Sequence, residues 1–198
     1  MPVYPIPGNH DDRDGIRGAV PDVLPAGSAD DRLDYVVDEH PIRLVGLYTT
    51  IPSRPSGRLE REQLAWLDDQ LTREPDRSTL IFQHHPPFVT GIEWMDQVGL
   101  ENGEQEAEVV ARHPQIELLT CGHVHRVVHT RLGGTVASCW PSTGVQIALA
   151  LDGTPLRLRG RTTWRRAASL GPSRGVASHF SYVDAADSWQ PAWAEHVT

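Results

Sequence analysis

STLIFQHHPP, residues 78–87, combines a short apolar run with two histidines and two prolines. An apolar run of this length between turn residues is typical of a buried strand. Pro86 and Pro87 lack a backbone N–H group, so the strand pairing is expected to end there. The strand then delivers His84 and His85 at its carboxyl end, where open α/β sheets build their binding sites.

The segments on either side predict an α/β fold. Leucines recur at helical spacing in residues 60–73, and a second helix is predicted from about 103 to 113. Residues 116–120 form another apolar run, which leads into CGHVHR (121–126). Strand, helix and strand in alternation, with polar residues where the strands end, indicate an α/β architecture.

The rest of the chain is expected to add shorter strands. They are predicted at 3–6, 33–38, 42–48, 127–132, 135–139, 146–151, 156–164 and 178–183, with a polar stretch to about 31. Strands 33–38 and 42–48 are expected to form a hairpin. Gly133 and Gly134 indicate a second hairpin turn. At 198 residues, one domain over 1–184 with a tail at 185–198 is the expected organisation.

Composition argues against a nucleic acid polymer and a membrane as partners. The net charge is -8, and the arginines of PLRLRGR (155–161) alternate with leucines as a half-exposed strand would. The chain contains no apolar run of about 20 residues, and its first residues do not resemble a signal peptide. These two features predict a cytoplasmic location. Cys121 and Cys139 are too few for a disulfide framework and are expected to be buried, reduced thiols.

Three polar segments are expected to meet at one edge of the sheet. PGNHDD (7–12) follows the first predicted strand, and the other two are the exits at 84–85 and 121–126. In GHVH, a period of two would place His123 and His125 on the same side of an extended segment, with Gly122 at the turn. Isolated histidines are more often structural, and this role is assigned to five others, His40, His113, His129, His179 and His196.

In this order, PGNHD, QHHPP and CGHVHR resemble the motifs of the calcineurin-like metallophosphoesterase superfamily. Residues 1–183 are more closely similar to its bacterial branch of cyclic-nucleotide and glycerophosphodiester phosphodiesterases. GIEWMD (91–96), LENG (100–103) and PSTGVQ (141–146) add to this resemblance. It implies a four-layer αββα sandwich, in which GIEWMD and LENG lie beside the metals as a lid or substrate wall. Core packing explains Trp94 and Met95 equally well.

The resemblance implies a centre of two divalent ions, Mn, Fe or Zn, that share a hydroxide able to attack phosphorus. By the same resemblance, Asn9, His84 and His123 are ligands of one ion, and His125 is a ligand of the other. His84 is preferred to its neighbour as the ligand because successive side chains of a strand point to opposite faces.

Four further residues are expected to act on the substrate or on another site residue. The resemblance implies that His10 stabilises or protonates the leaving group. Asp11 would orient His10 through the second ring nitrogen, or would accept backbone hydrogen bonds in the turn. His85 and Asn102 are predicted to bind substrate, Asn102 because a buried amide needs a hydrogen-bond partner.

Relatives carry, before GNHD, a strand ending in Asp-x-His and another ending in Gly-Asp, and neither is present here. The chain is therefore expected to lack an N-terminal portion of the sandwich, with its first strands and helices, and to be marginally stable and prone to aggregate. The donors that remain are neutral, so two adjacent divalent ions would repel, and one ion or none is expected.

These observations predict a metal-dependent phosphodiesterase for a cyclic nucleotide or a small glycerophosphodiester. The alternative is an impaired fragment that binds at most one metal and serves as an interaction domain. A protein phosphatase fits the HHPP and LENG segments less well. A homo-oligomer is left open.

Overall fold

Strands and helices alternate through the part of the chain that the computed structural model describes, residues 2–19, 33–153, 157–159, 164–171 and 175–182. The helices are α1 (Arg13–Ala19), α2 (Arg61–Arg73), α3 (Glu93–Asp96) and α4 (Gly103–Ala111). The strands are β1 (Tyr35–Val37), β2 (Arg43–Leu47), β3 (Thr79–Gln83), β4 (Ile116–Cys121), β5 (Val128–Leu132), β6 (Thr135–Cys139), β7 (Gln146–Ile147), β8 (Leu158–Arg159), β9 (Trp164–Gly171) and β10 (Gly175–Tyr182).

Six strands form one mixed sheet in the order β1-β2-β3-β4-β6-β5. The four inner strands β2, β3, β4 and β6 run parallel, and β1 and β5 pair antiparallel at the two edges. The α/β prediction is confirmed, as are both predicted hairpins. Because β3 and β4 are parallel neighbours, the residues that follow them lie together at one edge of the sheet.

Helices α2 and α4 cover one face of this sheet. Their apolar residues, with those of the inner strands, form a buried core that includes Leu67, Leu71, Val109, Val110, Val45, Ile81 and Leu119. On β3 the alternation is clear, since Ile81 is buried while Leu80 and Phe82 are half-buried. Leu80 and Phe82 line a cavity of about 390 Å³ on the opposite face, and this cavity extends to His84.

The predicted strand at 3–6 is wrong, because residues 2–8 have no regular secondary structure. Side chains hold this segment against the sheet instead. The Tyr35 hydroxyl donates to the carbonyl of Pro5 at 2.8 Å, and the Tyr4 hydroxyl lies 2.8 Å from Nε2 of His40. These contacts fix the position of the segment that leads to Asn9.

Helix α1 was not predicted and lies within the stretch expected to be an irregular polar loop. Asp12 caps it, since its Oδ2 accepts the N–H of Gly15 at 2.8 Å. The rest of that stretch, from 20 to 31, and the predicted tail at 185–198 lie outside the described residues.

The predictions for the last third of the chain were only partly correct. Only Gln146 and Ile147 of the segment 146–151 are in a strand, and β9 was missed. Within the segment predicted as a half-exposed strand at 156–164, Leu158 and Arg159 are the only described residues before Trp164 that are in a strand, and Leu158 is 65% exposed. No helix in the described residues is long and apolar enough to cross a membrane.

Candidate metal centre

Three distant chain segments meet where β3 and β4 end. Oδ1 of Asn9 lies 2.9 Å from Nε2 of His84, and Nδ1 of His123 lies 3.2 Å from the same nitrogen. The backbone supports this arrangement, because the N–H of Gly122 donates to the carbonyl of His84 at 3.1 Å. This bond continues the pairing of the two strands by one step and holds both histidine exits together.

The GHVH segment is not extended, so that part of the prediction is wrong. His123 and His125 have φ values of 62° and 50°, in the left-handed region that residues other than glycine seldom occupy. The two rings still belong to one cluster, because a charge on His125 would lower the pKa of both His84 and His123. Unfavourable backbone conformations of this kind are concentrated at functional sites.

The PGNHDD segment reaches the cluster through a tight turn. The N–H of Asp11 donates to the carbonyl of Gly8 at 3.0 Å, and Oδ2 of Asp11 accepts the N–H of Gly8 at 2.8 Å. Asp11 thus has the second of its two predicted roles. His10 is exposed, and its charge would lower the pKa of His84, which places it beside the cluster.

His85 differs from its neighbours because both of its ring nitrogens have protein partners. Nε2 lies 3.1 Å from the Pro55 carbonyl, which can only accept, so this nitrogen carries the proton. Nδ1 must then accept from the Thr49 hydroxyl, 2.8 Å away. The lone pair of His85 is therefore occupied. Thr49 and Pro55 were missed by the sequence reasoning, because they lie 36 and 30 residues away in the chain and belong to no motif.

Burial keeps the three clustered imidazoles neutral. Burial is the largest cause and neighbouring histidines add to it, so that the pKa is lowered to about 2 for His84, about 3 for His85 and about 4 for His123. Hydrogen bonds to backbone carbonyls have the opposite effect: the carbonyl of Pro55 raises the pKa of His85, and the carbonyl of Val98 raises that of His123. Neutral imidazole is the form of histidine that binds a metal.

The geometry of the cluster fits a single cation. Atoms bound at about 2.1 Å to one ion, at tetrahedral or octahedral angles, lie about 3.0 to 3.4 Å apart. The separations from His84 to Asn9 and His123 are close to this range. Within the described residues, the side chains grouped closely enough to share a cation are His84, His85 and His123, and no carboxylate is among them. Nδ1 of His125 is also buried, and it has no hydrogen-bond partner among the residues that the structure describes.

The two segments expected to form a lid or substrate wall have different surroundings. Met95 is buried in the core, whereas Trp94 is 47% exposed. Between the two segments, the carbonyl of Val98 raises the pKa of His123. Asn102 has protein partners at both ends of its amide, so an amide without a partner no longer argues for a substrate contact. Oδ1 accepts the N–H of Leu59 at 3.1 Å, and Nδ2 donates to the Leu59 carbonyl and to Gln105.

Two histidines assigned structural roles do have structural partners. His40 contacts Tyr4, and Nε2 of His113 lies 2.8 Å from Oδ1 of Asp68. The bond from His113 is the largest cause of the lowered pKa of Asp68. The side chains of His179 and His196 lie outside the described residues.

Comparison with known proteins places the chain among phosphoesterases. The sequence profile of the family described as calcineurin-like phosphoesterase matches residues 1–127. The chain is 37% identical over 152 residues to the probable glycerophosphodiester phosphodiesterase GpdQ of Arcobacter nitrofigilis, covering 76% of this chain and 55% of that protein. It is 33% identical over 141 residues to the 3',5'-cyclic adenosine monophosphate phosphodiesterase CpdA of Escherichia coli K12, covering 71% and 50%.

A solved structure supports the fold. A dimetal phosphatase from Danio rerio matches with a TM-score of 0.59 at 17% identity, over 89% of this chain and 71% of that one. The chain spans about half the length of the curated relatives it matches.

Proposed function

The chain belongs to the calcineurin-like phosphoesterase family, and from this premise we propose that it acts as a metal-dependent phosphodiesterase. One observation carries the proposal, namely the approach of three neutral donor atoms, Asn9 Oδ1, His84 Nε2 and His123 Nδ1, at the end of β3 and β4. The names of the relatives favour a 3',5'-cyclic nucleotide or a glycerophosphodiester as substrate.

Each site residue has a distinct task in this proposal. Asn9, His84 and His123 would hold a divalent ion, and His125 would be a ligand of a second one. Bound ions of this kind supply Lewis acidity and a hydroxide at neutral pH. His10, exposed beside the cluster, donates a proton to the leaving oxygen. His85 supports the site through its hydrogen bonds to Thr49 and Pro55. A direct contact between His85 and substrate stays a prediction.

A second candidate is a binding domain that holds one ion and does not turn over substrate. The donor set favours it, because an amide and imidazoles do not offset the repulsion between two adjacent divalent ions. The two candidates differ in metal stoichiometry and in turnover, and both can be measured on the same preparation.

The test loads the full chain with Mn²⁺ or Zn²⁺, determines bound metal by elemental analysis, and follows hydrolysis of bis(p-nitrophenyl) phosphate. Two ions per chain with turnover support the enzyme. At most one ion without turnover supports the binding domain. His84→Ala should lower metal affinity about 100-fold or more, whereas His129→Ala, an exposed histidine on β5, should leave it unchanged. Unchanged affinity in His84→Ala would contradict the site.

The proposal extends to the whole chain. It includes a catalytic domain over residues 1–184 with a tail at 185–198, and a cytoplasmic location. A homo-oligomer remains open, and analytical ultracentrifugation of the loaded protein would determine the assembly state.

A further inference from the structure

A fully buried acid lies under the histidine cluster and takes no part in the proposed chemistry. Glu106 of α4 is 0% exposed, and its Oε2 accepts Nε2 of Gln83 at 3.0 Å. Gln83, the last residue of β3, is 2% exposed and uses the same nitrogen to donate to the carbonyl of His85 at 2.8 Å. Both protons of the Gln83 amide are therefore used.

Two oxygens of this pair have no partner. Oε1 of Gln83 and Oε1 of Glu106 are both buried and form no hydrogen bond within the described residues. Reversing the Gln83 amide would not help, because its oxygen would then face the His85 carbonyl and Oε2 of Glu106, which are also acceptors. Unpaired buried acceptors are costly, so an explanation for both is required.

A single proton provides that explanation. We propose that Glu106 is a neutral carboxylic acid, whose Oε1–H donates to Oε1 of Gln83, so that acid and amide form a closed pair with two hydrogen bonds. The pair then has no unpaired oxygen, and the second Nε2 proton of Gln83 remains available for the carbonyl of His85.

The surroundings of Glu106 favour the neutral form. Burial raises its pKa to about 8, against the smaller effect of the Gln83 bond, and no cation among the described residues contributes. The titratable groups that face it are Cys121 of β4, on whose pKa Glu106 acts, and Cys139 of β6, which interacts with Cys121. Both thiols are free and buried, and a cysteine side chain never carries the positive charge that could compensate an ionised Glu106.

The pair acts as a positioning device for the metal centre. By holding the carbonyl of His85, Gln83 fixes the turn at which β3 ends, and the backbone of His84 is also bonded to Gly122. The link to metal binding rests on the proposed function, whereas the protonation state of Glu106 does not.

Infrared spectroscopy tests the protonation state directly. At pH 7 exposed carboxyl groups are ionised, so the wild-type protein should show a protonated carboxyl C=O band that is absent in Glu106→Gln. Glu108→Gln, an exposed glutamate of the same helix, is the matched control and should retain the band. A spectrum that Glu106→Gln leaves unchanged would overturn the proposal.

Stability and metal affinity provide a second test. An amide at position 106 can make the same two bonds, so Glu106→Gln should fold and bind Zn²⁺ within about 3-fold of wild type, while Glu106→Ala should bind about 10-fold more weakly. Because the pKa of Glu106 is raised in the folded state, its protonated form contributes stability that is fully present below pH 4.5. This contribution is lost as the pH rises through about 8. The melting temperature of wild type should therefore fall relative to Glu106→Gln over this range. A Glu106→Gln protein that does not fold, or a temperature difference independent of pH, would overturn the proposal, and neither result depends on phosphodiesterase activity.

Discussion

At the scale of single residues, hydrogen-bond partners distinguish the two adjacent histidines. Nε2 of His84 faces Asn9 and His123, whereas the lone pair of His85 already accepts a hydrogen bond from a hydroxyl. Strand alternation predicted that the two side chains point to opposite faces, but β3 ends at Gln83 and the two ring centroids lie only 4.8 Å apart. The partner Thr49 could not be predicted, because it joins the site through tertiary packing.

Gly8 is the position where a single methyl group should disturb the metal centre most directly. A Cβ there would lie 2.6 Å from Cε1 of His84, which is too close for carbon atoms. We expect Gly8→Ala to displace the imidazole and raise the Kd for Zn²⁺ about 10-fold or more. Isothermal titration calorimetry would measure this change.

Gly18→Ala is the control for that experiment. Gly18 lies on α1, where an added Cβ meets nothing within 4 Å, so the substitution should leave Zn²⁺ binding unchanged. Equal affinities of Gly8→Ala and wild type would show that His84 tolerates a methyl group and does not depend on this close approach.

At the scale of elements, hydrophobic periodicity identified the segments that bury an apolar face. Helix α2 and strands β3 and β4 have such a face. Helix α2 and strand β4 begin and end within a residue of the predicted bounds, whereas β3 ends at Gln83, two residues before the predicted end. Helix α1 has no buried residue, so it gave no apolar signal. The prolines at 2, 5 and 7 lack N–H groups for a ladder, which is why the predicted first strand does not form.

Asn102 connects the start of α4 to the segment before α2. Its removal would leave the N–H and carbonyl of Leu59 without these bonds, so Asn102→Ala should lower the free energy of unfolding by about 1–3 kcal/mol. Urea denaturation would measure the loss. Gln105→Ala removes only one exposed bond of the same amide and should cost less than about 1 kcal/mol. An Asn102→Ala protein of wild-type stability with a raised KM would instead indicate substrate contact.

At the scale of the whole molecule, the two faces of the sheet are unequal. Helices cover the face of Ile81, while Leu80 and Phe82 line a large apolar cavity on the other face. The sequence predicted an apolar sheet surface without a packing partner. We expect such a surface to make the protein self-associate and bind hydrophobic dyes.

Adjacent residues of β3 allow the two faces to be compared. Ile81→Ser places a hydroxyl in the core and should cost at least about 3 kcal/mol of unfolding free energy. Leu80→Ser should cost about 1 kcal/mol and should reduce binding of 8-anilinonaphthalene-1-sulfonate. Similar costs at both positions, or dye binding that Leu80→Ser leaves unchanged, would contradict an open apolar face.

The sequence motifs identified the segments of the site, and the fold class followed from alternating patterns. The left-handed backbone of His123 and His125 was not predictable, because a positive φ is uncommon for every residue other than glycine, even for histidine, which is enriched among the exceptions. The Gln83–Glu106 pair was also missed, since a glutamate in a helical pattern is ordinarily a surface residue.

The long sequence separation of the three cation donors has a consequence for how the protein matures. Asn9 and His84 are 75 residues apart, and His84 and His123 are 39 apart. Both loops must close before any ion meets all three atoms, and loop closure costs entropy that only the assembled sheet repays. If the proposed function is correct, newly synthesised chains would therefore bind the ion at all three donors only after the sheet has assembled, and the bound ion would then stabilise the completed fold.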